Sequence, residues 1–236
     1  MDKDSQLYRS LKWMYQPIQA VKQISEELKY ESRRRSKLQE NKKAGEFSGL
    51  HIGCGSFYLS GWINTDVLGN PSMDFPLDIS KLLPFEDNFF DAIYGSEVIE
   101  HINLTKGRQF FAEALRILKP GGAIRLTTPD LTESCKIFLG LRDDVKVEDF
   151  RTVWLEDEFS KEIWINALFR SWGHQHLWTF ESLADELKKA GFSQVDLCEP
   201  QKTKSQHHQL NNLDNRYGDN PPPWIFAGTI ILEAQK

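Results

Sequence analysis

A short apolar run, Leu50-His51-Ile52, ends in Gly53-Cys54-Gly55, and eleven residues beyond Gly55 a second run, Trp62-Ile63-Asn64-Thr65, ends in Asp66. A glycine pair closing a buried strand permits positive φ and lets backbone amides come close to a ligand. A carboxylate at the tip of the next strand can accept hydrogen bonds from both hydroxyls of an adenosine ribose. A dinucleotide site would need a third glycine three residues further on and an acid about 20 residues away. Ser56-Phe57-Tyr58 stands there instead, and Asp66 comes early. No Gly-Lys-Ser/Thr follows, so a phosphate-cradling loop is absent as well. The pattern therefore points to a nucleoside without a pyrophosphate, against the plainer alternative of a turn that simply needs two glycines.

Three histidines have the proton chemistry of a general base near neutral pH: His101, His174 and His176. His174 and His176 stand two apart in Trp172-Gly173-His174-Gln175-His176-Leu177-Trp178. Their side chains suit metal ligation, but no third ligand stands at helical or hairpin spacing, so no metal is expected. Asp130, after Thr127-Thr128-Pro129, either faces a second substrate or caps a helix beginning at Leu131, the commoner use.

These groups need a scaffold, and the chain beyond residue 46 alternates strand-like and helix-like segments. Apolar strand segments occur at Leu50–Gly53, Trp62–Val67, Phe89–Tyr94, Ala123–Thr127, Val195–Leu197 and Ala227–Leu232. Between them, Phe110, Phe111, Ala114, Leu115 and Leu118 form a helical stripe stopped by Lys119-Pro120-Gly121-Gly122. Leu183, Leu187 and Ala190 form another, with Thr179 as its cap and Gly191 past its end. Strands alternating with helices predict a parallel sheet covered on both faces. Before it, Leu7, Leu11, Met14, Ile18, Val21, Ile24 and Leu28 predict amphipathic helices broken near Pro17, so that residues 1–45 read as a helical extension. The mixed charges that follow, Arg33-Arg34-Arg35 among them, read as a solvated face, with an acidic partner or a membrane surface as the alternative.

Composition excludes several classes. The net charge of −5 across 236 residues gives no global field for nucleic acid, and three scattered cysteines make neither a disulfide framework nor a zinc motif. No apolar run reaches the roughly 18–20 residues of a membrane span, and Met1–Ser10 lacks the apolar stretch of a signal peptide. A cytoplasmic chain is expected.

The ordered set LHIGCG, WINTD, PLDIS, LPFEDNFFDAIYGSEVIEHI and LRILKPGGAIRLTTPDL resembles the class I S-adenosylmethionine-dependent methyltransferases. Within them it is most similar to the type-11 group associated with small molecules and surface-polysaccharide biosynthesis. The resemblance implies a Rossmann-like seven-stranded α/β sheet with helices on both faces over residues 46–236, with a helical substrate lid at about 131–176. It implies S-adenosyl-L-methionine as cofactor and S-adenosyl-L-homocysteine as product, and transfer of a methyl group to an oxygen of a small molecule or glycan precursor. Nucleic acid is not implied as a substrate, and homo-oligomerisation stays open. In that family's pattern His51, Gly53, Cys54, Gly55, Asp66 and Val67 line the cofactor, Asp78 and Ile79 flank its adenine, and Ser96 and Glu97 flank the methyl donor. His174, His101 and His176 are the candidate bases, and Asp130, Trp172 and Trp178 the candidate substrate contacts.

Two departures stand out. His51 replaces an acid that would hold the cofactor's ammonium, and the Gly55–Asp66 crossover is too short for a full helix. They motivate one alternative, a non-catalytic binding or assembly protein; another, a group transferase using the same cofactor, such as an aminopropyl transferase, would need acidic residues gathered around a polyamine, and the sequence shows no such set. The aromatics between residues 133 and 178, among them Phe138, Phe150, Trp154, Phe159, Trp164 and Phe169, are expected mostly to pack a core. Asn220-Pro221-Pro222-Pro223-Trp224 is expected to be an extended connector.

Overall fold

The structure, a computed structural model, describes residues 28–41, 47–67, 72–153, 157–214 and 221–236. The apolar stripe from Leu7 to Ile24, the break at Pro17, Trp154 and Asn220 lie outside them.

Seven strands form one sheet: β1 (Gly49–Ile52), β2 (Trp62–Asp66), β3 (Phe75–Pro76), β4 (Phe90–Ser96), β5 (Leu118–Pro129), β6 (Gln194–Leu197) and β7 (Thr229–Gln235). Their order is β3-β2-β1-β4-β5-β7-β6, parallel through β5, with β7 antiparallel to both its neighbours. The expected α/β sheet is thus present, and it is mixed. The order reverses direction between β1 and β4, and in such sheets ligands bind outside the carboxyl ends of the strands at that point.

Alternation along the strands assigns the two faces. Leu50, Ile52, Ile63, Ile93, Ile124, Leu126, Ile230 and Leu232 form the apolar face, packed with Phe110, Phe111, Ala114, Ile117, Leu183 and Leu187. These last come from α2 (Leu104–Ile117) and α5 (Phe180–Ala190). Thr179 caps α5 in a reciprocal capping box with Ser182, and Gly191 ends it in the left-handed region, as its sequence predicts. A first helix, α1 (28–41), joins the edge of the same layer: Leu38 packs on this core and Lys37 pairs with Asp74 at 3.3 Å. Arg34 and Arg35 of its basic run both pair with Glu31, so much of that charge is balanced within the helix.

The opposite face carries polar groups at the intervening positions: His51, Asn64, Tyr94, Arg125 and Glu233. Among the described residues its cover is mostly chain without α-helix, from Glu199 to Asp214. Arg125, fully buried, binds the Asp214 carboxylate through two nitrogens and Glu233 Oε1 at 2.6 Å, and also donates to the carbonyls of Glu199 and Lys202. One cation thereby fastens this segment to the sheet. A buried guanidinium requires such saturation, because an unmatched buried charge costs several kcal/mol.

Residues 131–170 fold into α3 (Leu131–Phe138), a 3-10 stretch (Val147–Val153) and α4 (Lys161–Arg170). Ile137, Val145, Val147 and Trp164, with Phe138, Phe150 and Trp224, form their own small core, the ordinary use of those aromatics. The Pro222–Phe226 region is extended at Pro222 and then turns as a 3-10 helix. No helix of the described residues is long and apolar enough to cross a membrane.

Candidate active site

A crevice opens at the carboxyl ends of β1, β2 and β4, in two lobes that share Gly53, Asp66, Val67, Val98 and His101. The first lobe, about 420 Å³, adds Leu77, Asp78, Ile79 and Ser80 from beyond β3, and Ile102, Asn103, Lys106 and Gln175. The second, about 510 Å³, adds His51, Cys54, Gly55, Tyr94, Ser96, Glu97, Trp172 and Leu213. Each volume lies in the range of small-molecule sites, roughly 300–1,000 Å³.

The waist of the crevice is built by the glycine turn. Gly53 has φ +59°, and a Cβ there would meet Val98 Cγ2 at 2.5 Å, so only glycine fits both the conformation and the space. Gly55, φ +53°, faces open space, and its amide donates to Asp66 Oδ2 at 2.7 Å. The carboxylate is thus drawn back over the turn and held at the junction of the lobes. Cys54 donates its amide to Thr65 at 2.9 Å, locking the turn to β2.

Each lobe has its own polar character. In the first, Asp78 Oδ1 accepts from the Ser80 amide at 2.9 Å and hydroxyl at 2.6 Å, and Oδ2 pairs with Lys81 at 3.2 Å. Burial alone would raise the pKa of this carboxyl, but Ser80 and Lys81 hold it below the ordinary range. In the second, His51 meets Asn64 Oδ1 at 3.0 Å and stacks on Tyr94 at 5.2 Å, and burial keeps it neutral to lower pH than usual. Glu97 sits in the left-handed region at φ +54°, accepting from the Thr127 hydroxyl at 3.3 Å.

The histidines separate. His101, half-buried, ends the 3-10 turn Ile99–His101 and lines both lobes. Its pKa is lowered by burial and then by His174, against hydrogen bonds that the ring makes to the backbone of Trp172, Glu97 and Gly173. The 171–178 segment is docked on this turn: the amides of Gln175 and His176 donate to the Glu100 carbonyl at 2.7 and 3.2 Å, and the Gln175 amide group donates to the His101 carbonyl at 2.8 Å. Trp172 (φ +57°) and Gly173 (φ +83°) are both left-handed, and the reversal they impose leaves Trp172 exposed against the second lobe. His174 lies behind His101, ring to ring at 5.0 Å, with Nδ1 against the Leu168 carbonyl at 2.8 Å.

Three expectations are corrected. His176 points away from the crevice, packed 4.3 Å from the Trp178 ring, where Arg108 and Glu186 are its charged neighbours. Trp178 is completely buried against Phe111, so it has no surface for a substrate. Asp130, almost fully buried, caps α3 by accepting from the amides of Thr132 and Glu133 at 2.8 and 3.1 Å, and it lines neither lobe. Two further groups able to ligate a metal reach His174 from afar: Glu100 and His101, more than 70 residues upstream, put ligand atoms within 4.8 Å of it.

Residues 50–126, the span from the glycine turn to β5, match the family described as "Methyltransferase domain". No curated protein matches the sequence. Solved structures to which the chain is similar include an S-adenosylmethionine-dependent methyltransferase from Archaeoglobus fulgidus, 16% identical, covering 88% of this chain and 96% of that one with TM-score 0.46. One from Mesorhizobium loti is 15% identical over 80% of this chain and 90% of its own, TM-score 0.46. The carbon methyltransferase of CurJ is 16% identical over 80% of this chain, TM-score 0.47, and this chain spans about half of it, 48%.

Several residues that line the crevice escape a motif reading. Tyr94, Val98, Ile102 and Lys106 stand in the matched segment but carry no signature of their own. Gln175 and Leu213 come from outside it, and only the folded chain brings them to the crevice. Glu100, fully buried, belongs to the matched motif, and its Oε2 accepts from Thr128 at 2.9 Å.

Proposed function

We propose that this protein transfers a methyl group from S-adenosylmethionine to an oxygen of a small molecule or glycan precursor. The observation that carries the reading is the two-lobed crevice with the Asp66 carboxylate at its waist. A nucleoside thioether fits the residues present. The first lobe pairs apolar Leu77, Ile79 and Ile102 with the Asp78 carboxylate, as an adenine with an exocyclic amine requires. Gly53 leaves no room for a side chain, and Gly55 leaves open space where a ligand can approach the backbone. Asp66 then holds the ribose hydroxyls. In the second lobe Glu97 takes the part of the missing acid: with His51 neutral, it and Asp66 are the carboxylates of that lobe, and a carboxylate suits an α-ammonium group.

When bound, the cofactor supplies an electrophilic methyl group. The protein's part is chiefly positional, since holding reactants in line is worth up to about 7–11 kcal/mol of barrier. His101, which lines both lobes, stands where an acceptor oxygen would meet the protein, and exposed Trp172 offers an aromatic face for a sugar or aromatic acceptor. A neutral imidazole can take the proton of a hydroxyl, which favours an oxygen acceptor.

The test has two parts. Calorimetric titration of the protein with S-adenosylhomocysteine should give one saturable site. Incubation with methyl-labelled cofactor and a panel of hydroxylated sugars, phenols and amines should then label an oxygen acceptor. No saturable heat rejects the cofactor assignment, and labelling confined to amines rejects the oxygen.

A further inference from the structure

We propose that Glu100, His101 and His174 bind a divalent first-row transition cation at the edge of the crevice. One carboxylate and two imidazoles offer ligand atoms that all lie within 4.8 Å of one another. Glu100 Oε1 is 3.8 Å from His101 Nε2. Three ligand atoms bound at about 2.1 Å to one ion lie roughly 3.4 Å apart at tetrahedral angles, so the widest gap closes by at most about 1.4 Å, shared between two side chains. Half-buried imidazoles can move that far.

The surroundings are those of a prepared site rather than of three polar groups that happen to meet. His174 places Nδ1 against the Leu168 carbonyl, which fixes that nitrogen as the N–H donor and turns the Nε2 lone pair outward. Glu100 Oε2 accepts from the Thr128 hydroxyl, which orients the carboxylate. Ligands in metal sites are held by outer hydrogen bonds of both these types. Two segments far apart in sequence converge on the site, and the bonds from Gln175 and His176 to the Glu100 carbonyl fasten one to the other. Glu100 is fully buried, and the two half-buried imidazoles adjoin it.

The ligand set selects the ion. Imidazole nitrogen with one carboxylate suits zinc, manganese, iron or cobalt, and disfavours calcium, which takes six to eight oxygens. Three protein ligands would leave coordination positions open, and because His101 lines the crevice an acceptor oxygen there would be within reach of the cation. This deepens the proposed function and rests on it in one respect only, the acceptor: it would be one whose oxygen can ligate a metal, such as a vicinal diol or a carboxylate-flanked hydroxyl. In that state His101 serves as a ligand and orients the acceptor through the cation.

The test measures cation binding directly. The full chain, stripped with a chelator, is titrated with Mn2+ by calorimetry and with Co2+ by visible absorption, and S-adenosylhomocysteine binding is measured on the same samples. One equivalent should bind, with a ligand-field spectrum for Co2+. His174→Ala and His101→Ala should each weaken it by 10-fold or more, and His176→Ala, whose ring faces elsewhere, should leave it unchanged. Circular dichroism establishes that each variant is folded, and Glu100→Gln, which keeps the oxygen facing Thr128, is the check if an alanine variant unfolds. No saturable binding, or binding indifferent to both His101 and His174, overturns the inference. Cofactor product binding without metal sinks this inference alone; metal binding without cofactor product sinks the proposed function alone.

Discussion

Replacing Asp66 with alanine examines the waist of the crevice most directly. A carboxylate offers about four acceptor positions, and the Gly55 amide uses one at 2.7 Å. Two ribose hydroxyls donating to the same group would each contribute about 1.5–3 kcal/mol, because the acceptor is charged. Water reaches this open crevice and partly replaces the lost bonds, which puts the net cost near the lower sum, about 3 kcal/mol. At about 1.4 kcal/mol per decade, Asp66→Ala should weaken S-adenosylhomocysteine by roughly 100-fold or more. Asp66→Asn, which retains one neutral acceptor, should fall between. Stability should hardly change, since the exposed Gly55 amide can turn to solvent. Calorimetry reads the affinity and chemical denaturation the stability. An affinity for the alanine variant within threefold of wild type refutes the ribose assignment. A large stability loss with unchanged affinity would make Asp66 a brace of the turn and nothing more.

Other outcomes follow from the same geometry. Gly53→Ala should cost about 1–2 kcal/mol for the left-handed backbone alone, with further loss from the clash at Val98, and urea unfolding should show it. Arg125→Met should destabilise the fold by about 3–5 kcal/mol, because the Asp214 and Glu233 carboxylates would be left buried without their cation; a loss under 1 kcal/mol in denaturant titration contradicts the fastening role. Glu186, bonded to Arg108 at 2.7 and 2.9 Å, is held down to about 2 from an unfolded value of 4.5. A depressed carboxyl stabilises above its unfolded value and loses that contribution as pH falls from about 4.5 towards about 2. With Arg108 half-exposed, the contribution is about 1 kcal/mol, so the stability gap between wild type and Glu186→Gln should close over that acid range.

Local signals carried the sequence reading furthest. The Gly53–Gly55 turn, the strand ending at Asp66, the Thr179 cap and the Gly191 stop each depend on a few neighbouring residues, and each stands where its pattern puts it. The two-residue β3 was too short to show a period, and β5 starts at Leu118, with Lys119–Gly122 bulging out of register, so the sequence stop read there as a loop is part of a strand. The histidines were harder for a definite reason. Two successive left-handed residues, Trp172 and Gly173, reverse the chain, and no alternation can be carried through them to say which way His174 and His176 point. Trp178 looked like a binding aromatic because its segment borders the crevice, but it is the side chain that packs this segment onto α2. Arg125 was hidden in an apolar strand, and its meaning depends on Asp214, which lies 89 residues away.

The antiparallel last strand has a practical result. Because β7 runs against β5, the backbone of Lys236 pairs with Gly122 at 3.0 Å, beside the start of the segment Ala123–Thr127 rather than its tip. About five residues of strand, roughly 16 Å, separate that point from the level of Ser96 and the crevice rim. A reporter group placed at Lys236 therefore stands at the end of the sheet away from the crevice rim, clear of a ligand entering there.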